Sequence, residues 1–99
     1  MIRPRLLFLI LCLAAATLVG QVKTGADLLF EKHFKLIEGK RVGLVTNHTA
    51  MLSNGRHLAD ALHEDKRTKL VALFGPEHGV RGDAPAGVKI SDAVDGKTG

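Results

Sequence analysis

Arg41-Val42-Gly43-Leu44-Val45-Thr46 and Lys69-Leu70-Val71-Ala72-Leu73-Phe74 decide the fold of this 99-residue chain. Each is a short apolar run bounded by turn formers, the pattern of a buried β-strand. Between them, Asn47 to Gly55 is rich in Asn, Thr, Ser and Gly and reads as a loop. Leu58, Ala59, Ala61 and Leu62 then outline a short helix ending near Asp65. The stretch is long enough for a right-handed crossover, so the strands are expected to be parallel neighbours in a βαβ unit.

Upstream, Thr24 and Asp27 stand at the spacing of a capping box, in which a hydroxyl and a carboxylate take up unpaired N–H groups at a helix start. Ala26, Leu29, Phe30, His33, Phe34 and Ile37 recur at three- and four-residue intervals, which predicts a helix from about Ala26 to Glu38 closed by Gly39. His33 is expected to pack on its apolar side. Downstream of Phe74 the chain is rich in glycine and reads as loop. Two parallel strands alone leave sheet faces and edges uncovered. The chain is therefore expected to be the front of a longer α/β protein.

Residues 1–20 read as an address. Arg3 and Arg5 precede the apolar run Leu6 to Leu13 and the small-residue tract Ala14-Ala15-Ala16, the order of a secretory signal peptide, with cleavage after Ala16 fitting best. The run is shorter than the roughly 20 residues of a spanning helix, and no basic cluster follows it. No stable membrane insertion is expected once the leader is removed, and the location is expected to be periplasmic or secreted. Cys12 lies within the leader and follows Leu11, whereas lipid attachment wants a small residue there. Residues 21–99 hold no cysteine, so neither a disulfide nor a thiolate nucleophile enters the reading.

The formal charge of +4 falls to +2 without Arg3 and Arg5, leaving 12 basic against 10 acidic residues. That balance, with four Phe and neither Trp nor Tyr, argues against a nucleic-acid partner. The spacing of Gly75, Gly79 and Gly82 matches neither a dinucleotide fingerprint nor a phosphate loop, and His-Glu-x-x-His is absent. No cofactor and no metal are expected. Asn47-His48-Thr49 fits a glycosylation sequon, read as accidental beside a bacterial-style leader.

In open parallel sheets, ligands bind beyond the carboxyl ends of the strands. Asn47 and His48 follow the first strand there, and Glu77, His78, Arg81 and Asp83 follow the second. All are expected to face one pocket. A carboxylate in a Pro-preceded, Gly-followed turn suits a general acid, since a partly desolvated pocket keeps its proton available. Glu77 is that residue; the alternative is that it caps the following turn or pairs with Arg81. For Arg81 and Asp83 a local ion pair is expected.

At these residues the chain resembles the NamZ-type exo-acting β-N-acetylmuramidases, a bacterial family first catalogued as a domain of unknown function. The resemblance rests on Lys23-Thr24-Gly25-Ala26-Asp27, on Gly39 through Thr49, and above all on Leu73-Phe74-Gly75-Pro76-Glu77-His78-Gly79-Val80-Arg81-Gly82-Asp83. It implies a Rossmann-like amino-terminal domain, incomplete in this chain, joined to a second α/β domain that the chain lacks. It also implies release of terminal N-acetylmuramic acid from peptidoglycan fragments, so the partners expected are peptidoglycan-derived muramyl sugars. Glu77 matches the family's proposed acid, and Asn47, His48, His78 and Arg81 match polar positions of its pocket. Arg81 is further expected to pair with the lactyl carboxylate of muramic acid. The 99 residues alone are expected to be inactive. From another class, a periplasmic wall-sugar binding module would grip the same sugar without turnover.

Overall fold

The structure, a computed structural model, describes residue 20 and residues 22–99; Gly20 apart, the leader lies outside the described residues. Helix α1 (Gly25–Leu28) opens the fold, followed by a π turn (Leu29–His33) and a 3-10 turn (Phe34–Leu36). Strand β1 (Arg41–Val45), helix α2 (Leu58–Glu64) and strand β2 (Lys69–Phe74) complete it. The fold is α/β, and β1 and β2 pair in parallel, as the two apolar runs predict. Among the described residues no helix is long and apolar enough to cross a membrane.

Both halves of the capping box form. The Asp27 N–H donates to the Thr24 hydroxyl at 3.2 Å, and Asp27 Oδ2 accepts from the Thr24 N–H at 2.7 Å. The other oxygen, Oδ1, accepts from both the N–H and the hydroxyl of Ser53, each at 2.9 Å. One carboxylate thus starts α1 and also ties it to the loop after β1. The Ser53 N–H first, and that of Thr24 next, hold the Asp27 carboxyl well below the usual carboxylate range. A lowered folded-state value means that this stability is present above about pH 4 and is lost as acid protonates the group. The melting temperature of the intact protein is expected to fall as pH drops from 5 to 3. It should fall less steeply in Asp27→Asn, which has no such proton to take up.

The predicted single helix over Ala26–Glu38 is broken. A π turn spends one extra residue, which rotates everything after it relative to the 3.6-residue stripe. Phe34 turns inward and is buried, while His33, expected to pack, is exposed. Phe34 is held from outside the segment: the Arg67 guanidinium lies 3.7 Å from its ring centroid, and Asp65 fixes that guanidinium at 2.6 and 3.0 Å. Gly39 closes the segment at φ +71°, and its N–H donates to the Arg67 carbonyl at 2.7 Å.

The β1–β2 register runs from Arg41 opposite Lys69 to Val45 opposite Phe74, with an irregularity after Val42 that leaves Val71 as an extra residue. Helix α2 lies against β2, and Ala59, Ala61 and Leu62 on it join Leu52 and Phe34 as the buried apolar residues. Read as buried strands, β1 and β2 are only partly so. Val42, Leu44, Leu70 and Ala72 are half-buried, whereas Val45, Val71 and Phe74 are exposed, because helical cover lies on one side only.

Candidate active site

The loops after β1 and β2 leave the same end of the sheet, since parallel strands share a direction. The first is tightly folded. Met51 and His57 form an antiparallel bridge, the Leu52 N–H donates to Arg56 at 2.8 Å, and the Leu58 N–H donates to Ala50 at 2.8 Å. Within it, Asn47 Oδ1 accepts from the Thr49 N–H at 3.0 Å and the Thr49 hydroxyl at 2.7 Å. The Asn-x-Thr spacing is therefore an Asx turn, in which the amide oxygen organises its own loop and leaves the NH₂ to donate.

His57 organises the end of this loop. It stands immediately before α2, where its Nδ1 accepts from the Ala59 N–H at 3.2 Å as a helix cap. Its Nε2 donates to the Asn47 carbonyl at 2.7 Å. The two bonds together require the neutral tautomer with its proton on Nε2.

The second loop turns sharply. The Gly79 N–H donates to the Pro76 carbonyl at 2.8 Å, and His78, in the third position of that turn, has φ +70°. A side chain in the left-handed region costs on the order of 1 kcal/mol and persists where its surroundings hold it. His78 is held by its own ring, whose Nδ1 donates to the Ala84 carbonyl at 2.9 Å, while the Ala84 N–H returns a bond to the His78 carbonyl. With Nδ1 so committed, Nε2 is the ring nitrogen left without a partner among the described residues.

His48 and His78, from the two loops, meet edge to face with ring centroids 6.5 Å apart. Gly82 allows this. At φ +79° its missing Cβ would lie 2.6 Å from Cγ of His48, so the imidazole occupies the space a side chain would need. Gly82→Ala is expected to cost about 1–3 kcal/mol through overpacking and backbone strain. Equilibrium denaturation should show that cost shrinking in a His48→Gly background, where ring and Cβ are both gone and only the strain remains.

The remaining expected site residues are placed differently. Glu77 is exposed, and its Oε1 accepts from the Gly87 N–H at 3.1 Å, the turn-capping arrangement, leaving Oε2 without a partner among the described residues. Arg81 forms no ion pair with Asp83 or Glu77. Its Nε and Nη2 donate to Asp95 at 2.8 and 2.6 Å, and Nη2 donates also to Asp60 on α2 at 2.7 Å. These bonds, from Asp95 and then Asp60, raise the Arg81 pKa above its ordinary value and hold Asp95 below the carboxylate range. The Nε and Nη2 groups of the guanidinium are thus occupied by two carboxylates of the chain itself. The two loops bring His48 and His78 together; Arg81 turns to Asp60 and Asp95, while Glu77 and Asn47 each commit one side-chain oxygen to their own loops and keep Oε2 and the NH₂ group unpartnered among the described residues.

Beside β2 and the second loop lies an open groove of about 700 Å³, lined by His78, Arg81 and Asp83 together with Ile90 and Asp92. Among the described residues no three His, Cys, Asp or Glu side chains converge as metal ligands.

Residues 42–99, more than half of the chain and both loops with it, match the family described as Exo-beta-N-acetylmuramidase NamZ, N-terminal. The chain belongs to the NamZ family. It is 47% identical over 79 residues to the peptidoglycan beta-N-acetylmuramidase NamZ of Bacillus subtilis strain 168, covering 80% of this chain and 19% of that protein. A crystal structure of a DUF1343 family protein from Bacteroides fragilis is similar with a TM-score of 0.58 and 56% identity, covering 62% of this chain and 16% of that one. The chain spans about a fifth of the length of the NamZ relative it matches.

Proposed function

We propose that this chain supplies the amino-terminal part of an exported exo-β-N-acetylmuramidase that releases terminal N-acetylmuramic acid from peptidoglycan fragments. The observation that carries the reading is the 47% identity to a peptidoglycan β-N-acetylmuramidase, with a family match that includes both loops. In this reading residues 1–20 direct export. A second domain completes the pocket, so the 99 residues alone do not turn over substrate.

Glu77 acts as the general acid. Its Oε1 is oriented by the Gly87 N–H, and Oε2 carries the proton to the glycosidic oxygen as the bond breaks toward an oxocarbenium-like state. The Asn47 NH₂ and the unpartnered Nε2 of His78 offer hydrogen bonds to sugar hydroxyls and the acetamido group, and the His48 ring closes the rim beside them.

The test is incubation of the intact protein, meaning these residues together with the second domain of the proposed enzyme, with a peptidoglycan-derived saccharide bearing N-acetylmuramic acid at its non-reducing end. Mass spectrometry is expected to show free N-acetylmuramic acid and a product shortened by one sugar. Retention of the intact saccharide by the protein without release would mean a binding module instead.

A further inference from the structure

Both loops of the candidate site are fastened to one short element, the amino-terminal turn of α2. His57, its cap, donates to the backbone carbonyl of Asn47 in the loop after β1 at 2.7 Å. One helical turn on, Asp60 accepts from Arg81 in the loop after β2 at 2.7 Å. His57 is buried, and the side chains of Arg81 and Asp60 are 17% and 22% exposed, so both fastenings lie largely out of water. Neither group reaches the turn carrying Glu77 and His78, or the edges of Asn47 and His48, on its own.

We propose that His57 and Asp60 are positioning residues, which use the rigid start of α2 to set the two catalytic loops at a fixed separation. Arg81 serves as the link from Asp60 to the Glu77–His78 turn and is not a receptor for the substrate's carboxylate. The inference rests on the reading of these loops as the rim of a glycosidase site. The fastenings themselves stand on geometry alone. The bonds differ in kind: His57 holds a carbonyl by an N–H, whereas Asp60 holds a guanidinium by a charge-assisted bond. Each can therefore be weakened by its own substitution.

His57→Asn keeps a capping acceptor before α2 but is too short to donate to the Asn47 carbonyl. Asp60→Asn keeps the size of the side chain and removes its charge. Amide hydrogen exchange of the intact protein reads each loop separately, through Thr49 and Ala50 in the first and Gly79 and Ala84 in the second. The expected result is selective. His57→Asn speeds exchange in the first loop by about tenfold and leaves the second within about twofold, and Asp60→Asn does the converse. Exchange that changes in neither loop, or that rises equally in both, overturns the proposal.

Kinetics supplies the readout that a merely structural role would not move. Each variant is expected to lower kcat about ten- to hundredfold while KM stays within about twofold, as misplaced reacting groups do. Arg81→Lys should show the same split. A rise in KM confined to substrates carrying the lactyl group would instead make Arg81 a carboxylate receptor and overturn its assignment as a link. Should the unsubstituted protein release no N-acetylmuramic acid, the enzymatic reading fails, while the exchange pattern still decides whether α2 holds the loops.

Discussion

Glu77→Gln is expected to lower kcat on a peptidoglycan saccharide by about 10²–10⁴-fold, the range a positioned general acid contributes. The substitution keeps the side chain's length and lets the amide oxygen still accept from the Gly87 N–H, so the turn from Pro76 to Gly79 retains its bonds. What it removes is the capacity of Oε2 to hand over a proton. Because Glu77 is exposed in this structure, the change is expected to leave stability nearly untouched. The melting temperature checks that point: a large activity loss beside an unchanged transition separates a missing proton from a damaged fold. A carboxylate that merely capped the turn would give the opposite pattern, a small shift in stability and little change in kcat.

The largest expected effect on stability is at Arg81. Arg81→Ala removes three charge-assisted bonds at once and leaves Asp60 and Asp95, 22% and 15% exposed in their side chains, facing each other without a cation between them. Stranding partly buried carboxylates costs more than the pair contributed, and a loss of about 2–4 kcal/mol is expected in urea denaturation. Asp95 retains the Thr98 N–H and hydroxyl at 3.0 and 2.8 Å, which softens the penalty on that side. Asp60 retains only a distant contact with Lys97 at 4.0 Å and bears the greater part. Replacing Asp60 by Asn together with Arg81→Ala should therefore recover some of the loss, and double-mutant analysis measures how much.

The two strands were legible because each is a local apolar run with turn formers at both ends, and the crossover length left parallel pairing as the natural arrangement. The Thr24–Asp27 box was legible for a similar reason, since both partners lie within one helical turn. The π turn was not. It answers to Arg67 pressing on Phe34 from beyond β1, a contact that spacing within the segment does not report. The same limit explains Arg81. Sequence proximity pointed to Asp83 and Glu77, but the partners lie 21 residues back and 14 residues on, where the fold and not the local chain brings them near.

His57 could have been found from its place, directly before the apolar positions of α2. Imidazole is an uncommon helix cap, so the residue type does not announce the role that its Nδ1 plays there. The common placement of the two loops at one end of the sheet was legible, because it follows from parallel pairing of the strands. The exposure of Glu77 was not, because burial depends on what packs against the loop rather than on the Pro-Glu-His-Gly turn alone.

The central claim is that Glu77 delivers a proton to the leaving sugar oxygen. It is tested most directly by comparing Glu77→Gln with the unsubstituted intact protein on two β-N-acetylmuraminides, one with a natural sugar leaving group and one with a dinitrophenolate that departs without protonation. The account predicts that the variant loses about 10²–10⁴-fold in the rate of bond cleavage on the first and nearly nothing on the second. An equal loss on both would contradict it.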